Sequence, residues 1–131
     1  MASGARQSRG RLGLEGYQRL TRVTIETARH MERGVRAIEG LTVLGTPEAH
    51  LLAIVADETA ANPIDVFAVG DALARRDWYH DRQQPPDSLH ATLSAGNAPV
   101  IDEYLGDLSE CVGEVIGARL ADRSTSYATL E

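Results

Sequence analysis

Lysine is missing from this sequence: all 13 basic residues are arginine. Chemistry that requires a side-chain primary amine, such as an imine to an aldehyde, is closed to these side chains. Aromatic residues are scarce at 5%, so a core must be built from Leu, Val, Ile and Ala. Cys111 is the single cysteine, which excludes an intrachain disulfide and fits a reducing, cytoplasmic setting. No apolar run approaches the roughly 20 residues of a membrane span. The first eleven residues carry arginines without the apolar stretch of a secretory signal. Positive charge is in deficit, with a net charge of −6, and nucleic-acid binding needs clustered positive charge. No Gly-x-Ser-x-Gly elbow is present to supply an acyl-transfer nucleophile. His30, His50 and His80 lack the spacing of a zinc site.

What remains is an ordinary globular composition, with 43% hydrophobic and 24% charged residues. A length of 131 residues suits one domain. Such a chain can bury about two-thirds of its unfolded surface without staples. Residues 1–11 are small, polar and basic, and read as a flexible segment. The folded domain is expected over 12–120, with a polar tail over 121–131.

Helical periodicity begins at Leu12. Leu14, Tyr17, Leu20, Thr24, Ala28, Met31, Val35 and Ile38 recur three or four apart, a single apolar stripe. Glu15 and Arg19, and Glu32 and Arg36, are four-apart pairs with the acid first. The arginine face reads as a solvated face. Gly10, Gly13 and Gly16 follow no strand and make a poor nucleotide fingerprint. Gly40 stands where a left-handed cap would end the helix.

Leu41–Leu44 reads as a short strand, ended by a turn at Gly45, Thr46 and Pro47. The run from His50 to Ala56 reads as a central strand covered in part on both faces, antiparallel to the first. Asn62, Pro63 and Asp65 suggest a helix capped by Asn62 and running to about Arg76. A short strand is expected at Trp78–Asp81, then a proline-containing loop over Arg82–Asp87. Ser88–Ser94 alternates, placing Leu89, Ala91 and Leu93 on one face and Ser88, His90, Thr92 and Ser94 on the other. Asn97 is a plausible cap for a last helix with Val100, Ile101, Tyr104, Leu105, Leu108, Val112, Val115, Ile116 and Leu120 on one stripe. The order α-ββ-α-ββ-α predicts an α/β domain of the α+β type, a small and mostly antiparallel sheet covered by helices on one face.

Several segments, taken in order, resemble one family. Glu15-Gly16-Tyr17 opens the first helix, and Ile38-Glu39-Gly40-Leu41-Thr42-Val43-Leu44-Gly45 joins it to a strand. Asp65–Trp78, Asp81–Ser94 and Asn97–Val112 follow. Together they are similar to the C-terminal (small) domain of the group II pyridoxal-phosphate-dependent decarboxylases and sphingosine-phosphate lyases. The resemblance covers residues 12–120. It implies a separate large domain that holds pyridoxal phosphate through a lysine, with the small domain closing over it. In the lyase branch it implies retro-aldol cleavage of a phosphorylated long-chain base; in the decarboxylase branch, loss of an amino-acid carboxylate. The large domain, its lysine and its phosphate-binding loop are not in this sequence. The resemblance therefore implies a separated or truncated domain, inactive alone, that binds no cofactor covalently and contributes no catalytic residue.

Two residues are candidates for lining a substrate site beside such a partner. The resemblance implies that His90 belongs to the segment near the domain junction; its plainer account is a histidine satisfied by backbone or solvent. Arg82 has the guanidinium geometry for a carboxylate or phosphate; its plainer account is a solvated loop arginine. Trp78 reads as packing at the core edge. Tyr79-His80-Asp81 sets a base beside an acid, but strand neighbours point to opposite faces, against a catalytic pair. The expected partner is the large domain, or another copy of the chain through apolar surface left bare. The alternative is a stand-alone interaction or small-ligand-binding module, homodimeric through that face. A third account is a gene remnant.

Overall fold

The computed structural model describes residues 2–44 and 51–130, with side chains placed over 13–44 and 51–122. Helix α1 spans Ala2–Arg36, strands β1 Leu41–Val43 and β2 Leu51–Ala56, and helix α2 Val66–Ala74. Strands β3 (Asp81–Gln83) and β4 (Ser88–Thr92) follow, then a 3-10 turn at Ala95–Val100 and helix α3 at Ile101–Leu130. The four strands form one antiparallel sheet in the order β1-β2-β4-β3. This is the α-ββ-α-ββ-α order expected, with one added 3-10 turn. The turn at Gly45, Thr46 and Pro47, and His50, lie outside the described residues.

The sheet's period of two sets the core. Leu52 stands opposite Ala91 and Ile54 opposite Leu89. Directly opposed side chains share a face, and all four are buried. They form one cluster with Met31 and Val35 of α1, Val69 and Leu73 of α2, and Leu108 and Cys111 of α3. Val55 and Ser88, opposed across β2 and β4, are buried on the second face. The central run is thus covered in part on both sides.

Gly40 ends the first helical region as its position suggests. Its φ of 96° is left-handed, and a Cβ there would come within 2.2 Å of Ile64 Cδ1. Glycine is required both for the turn and for the approach of Ile64.

The start of α2 corrects the sequence reading. The cap is Asp65, not Asn62: its Oδ1 accepts from the backbone N–H of Phe67 at 3.0 Å and of Ala68 at 3.3 Å. Asn62 lies three residues earlier, outside the helix that begins at Val66. The helix then buries Val66, Val69, Gly70, Ala72 and Leu73. It stops at Ala74, with Arg75 as its C-cap, short of the expected Arg76. Asp77 turns the chain with φ 66°, and Trp78 N–H closes on the Leu73 carbonyl at 3.0 Å.

The third strand is also displaced. It was expected at 78–81 and lies at Asp81–Gln83, so Arg82 is a strand residue rather than a loop residue. Pairing with β4 fixes this register: Asp81 with His90, Arg82 with Leu89, Gln83 with Ser88. Leu89 is anchored in the core and carries its partners with it. In the last helical region, Asn97 does not cap α3 directly. Its side-chain oxygen accepts from the Ser94 N–H at 2.7 Å and fastens the 3-10 turn that leads into α3.

The apolar stripe of α1 divides into two parts. Ala28, Met31 and Val35 are buried, whereas Leu14, Tyr17 and Leu20 are 60%, 69% and 57% exposed. The stripe of α3 divides likewise: Ile101, Tyr104, Leu108 and Val112 are buried, and Ile116 and Leu120 are bare.

Candidate functional site

Cross-strand register decides where the two candidate side chains go. His90 opposes Asp81, and Arg82 opposes Leu89. Because Leu89 faces the helices, Arg82 does too, while His90 and Asp81 share the other face. His90 and Arg82 are therefore not brought together. Arg82 lies at the sheet edge against α2. Its Nη2 donates to Asp71 Oδ1 at 2.6 Å, and its guanidinium sits 5.6 Å from the centre of the Phe67 ring. A guanidinium already engaged by a carboxylate and a ring is a poor receptor for a second anion.

His90 instead borders a pocket of about 380 Å³ at the end of β4, where the segment after α2 meets the start of α3. Trp78, His80, Asp81, His90 and Tyr104 are among its walls. The His90 imidazole is half-buried, with Nε2 3.1 Å from Ser88 Oγ. Strand alternation presents it here, as the sequence indicates.

His80 is the most constrained titratable group of the pocket. Its Nδ1 lies 3.2 Å from the His90 backbone carbonyl and its Nε2 lies 2.6 Å from the Tyr104 hydroxyl. A carbonyl only accepts, so Nδ1 must carry the proton. Nε2 is then the acceptor, and Tyr104 donates to it. Burial holds His80 below the ordinary histidine value, against the smaller opposing pulls of the His90 carbonyl and the Asp81 charge. Burial likewise pushes the Tyr104 hydroxyl up. Both protons stay where the geometry puts them, and His80 has no lone pair left to act as a base. The pair is structural, further clasped by edge-to-face packing of Tyr104 with Trp78 at 5.2 Å and with His80 at 5.5 Å.

Trp78 is half-buried at the core edge, as its isolation in the sequence suggests. It adds one link that the sequence does not display: its indole N–H donates to Asp107 Oδ2 at 2.7 Å. Asp107 also lies 3.4 Å from Arg76 Nη1, and the same guanidinium reaches Glu110 and Glu114. Asp107, Glu110 and Glu114 rise along one face of α3, so a single arginine after α2 locks the two helices together.

Cys111 is fully buried, and burial raises its thiol above the ordinary value. Among the described residues no three His, Cys, Asp or Glu side chains converge as metal ligands. Also among them, no helix is long and apolar enough to cross a membrane. No side chain can form an imine, because there is no lysine. Arg82 is held by Asp71. These side chains do not fit the task of anchoring pyridoxal phosphate.

No family model matches the chain. A sphingosine-1-phosphate lyase of Arabidopsis thaliana is 32% identical over 115 residues, which is 88% of this chain and 20% of that protein. The chain thus spans about one fifth of the length of the curated relatives it matches. Among solved structures, the sphingosine-1-phosphate lyase of Burkholderia pseudomallei K96243 superposes with a TM-score of 0.70 and 31% identity, over 88% of this chain and 26% of that one. Lactobacillus brevis glutamate decarboxylase shares the fold at 14% identity and a TM-score of 0.69, over 83% of this chain and 26% of that one. So does the C-DES K223A mutant, solved with glycine covalently linked to its pyridoxal-phosphate cofactor, at 19% identity and 0.58, over 70% and 24%.

Proposed function

Starting from a chain homologous to about one fifth of the sphingosine-1-phosphate lyases, consistent with the small C-terminal domain of that pyridoxal-phosphate-dependent family, we propose that it serves as the C-terminal part of a carbon–carbon lyase of that kind. One observation carries the reading. Similarity runs across 88% of the chain in both sequence and structure, yet accounts for only 20% and 26% of the matched proteins.

The division of labour follows from composition. Pyridoxal phosphate supplies the electron sink in such enzymes, and it is held by a lysine that this chain does not possess. The chain's share is shape. It offers a rigid sheet, a pocket walled by His90 and the locked His80–Tyr104 pair, and a bare stripe on α1 available to a lysine-bearing large domain. The substrate class is a phosphorylated long-chain base, cleaved in retro-aldol fashion. Alone, the domain turns nothing over.

The test is complementation. A sphingosine-1-phosphate lyase shortened to its lysine-bearing domain is mixed with this chain, pyridoxal phosphate and sphingosine 1-phosphate, and aldehyde is measured. Aldehyde release only from the mixture is the expected result. Aldehyde from this chain alone, or two folded components that neither associate nor turn over, would overturn the reading.

A further inference from the structure

The pocket beside His90 combines an apolar floor with aromatic walls, and its charge has one sign. Its volume of about 380 Å³ falls within the roughly 300–1,000 Å³ of small-ligand sites. Met31, Ala91, Leu93 and Ile101 make a buried apolar floor. Trp78, Tyr79 and Tyr104 bring three rings to the walls. Among the described residues that wall it, Asp81 is the one carboxylate, and there is no arginine. His80 adds no positive charge, because burial holds it below the ordinary histidine value. Ring faces and a carboxylate both attract a cation and repel an anion.

Two of the rings are fixed in advance. Trp78 and Tyr104 are 5.2 Å apart with their planes at 83°, so they make walls at nearly a right angle. The Trp78 indole N–H is tied to Asp107 at 2.7 Å, and the Tyr104 hydroxyl to His80 Nε2 at 2.6 Å. Rings already ordered lose little freedom when a ligand arrives. Tyr79 is 75% exposed and forms the outer wall.

The inner polar atoms are already committed. His80 uses both ring nitrogens, Tyr104 donates its proton to one of them, and Asn97 Oδ1 accepts from the Ser94 N–H. A primary ammonium carries three donors and would bury some of them unsatisfied. A quaternary ammonium has no donor to satisfy, and its methyl groups suit an apolar floor. We propose that this pocket is a binding site for a free quaternary ammonium, its charge against Trp78, Tyr79 and Asp81 and its methyl groups toward Leu93 and Ile101. A phosphorylated headgroup fits less well, since its phosphate would face Asp81 with no arginine to receive it. All the residues invoked belong to this chain, so the proposal does not rest on the lyase reading.

Trp78 is the sole tryptophan and reports on its own pocket. Choline chloride is titrated into the purified chain at about pH 8, above the ordinary histidine range, with sodium chloride lowered to keep ionic strength and chloride constant. A saturable change in Trp78 fluorescence, with a Kd of about 1–10 mM, is expected. The neutral isostere of choline, with carbon in place of nitrogen, should bind at least about 5-fold more weakly. Phosphocholine should bind at least about 3-fold more weakly than choline. Tyr79→Ala and Asp81→Asn, both at exposed positions, should each weaken choline by about 3-fold or more. No saturation by about 50 mM, or an isostere that binds as well as choline, would overturn the proposal. Phosphocholine binding as tightly as choline would overturn the choice of a free cation. Choline binding that neither substitution weakens would put the cation elsewhere and overturn the site.

Discussion

Tyr104 and His80 meet at 2.6 Å with the hydrogen bond running from the phenol to the imidazole, because the other ring nitrogen is already committed to a backbone carbonyl. Removing the donor tests this direction. Tyr104→Phe keeps the ring and its edge-to-face packing but leaves a buried nitrogen without a partner. A loss of about 1–3 kcal/mol is expected, read as a lower urea midpoint with an unchanged slope. A variant as stable as the parent would mean that Nε2 is satisfied in another way.

The same histidine imposes a pH dependence. The unfolded chain takes up a proton on His80 as pH falls through about 6.5, whereas burial holds the folded imidazole below that value. Between those two values the unfolded state binds more protons, so stability falls as pH falls. Well above pH 6.5 both states are neutral and the contribution is flat. His80→Gln should flatten the slope of stability against pH between about 7 and 5 relative to the parent. Parallel profiles from urea titrations would refute the assignment.

Arg76 holds three carboxylates of α3 against the end of α2. Arg76→Ala leaves those acids facing one another and frees Asp107, which also receives the Trp78 indole. The variant should melt at a lower temperature, and the difference should shrink in high salt as the acids are screened. Trp78 fluorescence should change as well. A melting difference that is the same at low and high salt would show that the arginine acts by packing alone.

Gly40→Ala should be among the costlier single changes outside the core. It forces a left-handed backbone on alanine and drives a methyl into Ile64. A destabilisation above about 1 kcal/mol is expected, against a near-neutral Gly13→Ala, where nothing lies within 4 Å. Chemical denaturation of the two variants side by side decides it.

Cys111 should report on opening. Its side chain is fully buried and its thiol is raised, so the folded chain should resist a thiol reagent that labels the unfolded chain at once. The slowing should track stability across the variants above. Rapid labelling of the native chain would contradict the packing of α3.

Much of this fold could be read from residue spacing. The first half of the α3 stripe, as far as Val112, the alternation of β4 and the glycine after α1 each depend on local pattern, and each is found in place. The misses share a cause. Asn62 and Asp65 are both good caps by type, and only the burial of Val66, Val69 and Leu73 selects the second. The register of β3 depends on β4, which carries Leu89 into the core and sets Arg82 beside it. That pairing, invisible along one strand, sends Arg82 and His90 to opposite faces. The His80–Tyr104 bond joins residues 24 apart, and nothing near either one in the sequence announces it. Asp107, Glu110 and Glu114 have the spacing of one helix face, but the arginine they share comes from another element.

Both outer strands of the sheet are three residues long, and the one beyond β4 consists of Asp81, Arg82 and Gln83, all of them exposed. Both edges offer few open backbone groups, and the β3 edge surrounds them with charge, which makes it a poor template for a foreign strand. Growth of the sheet from molecule to molecule is thereby discouraged. The bare leucine and tyrosine of the helices thus stand apart from the strand edges at which cross-β growth would begin.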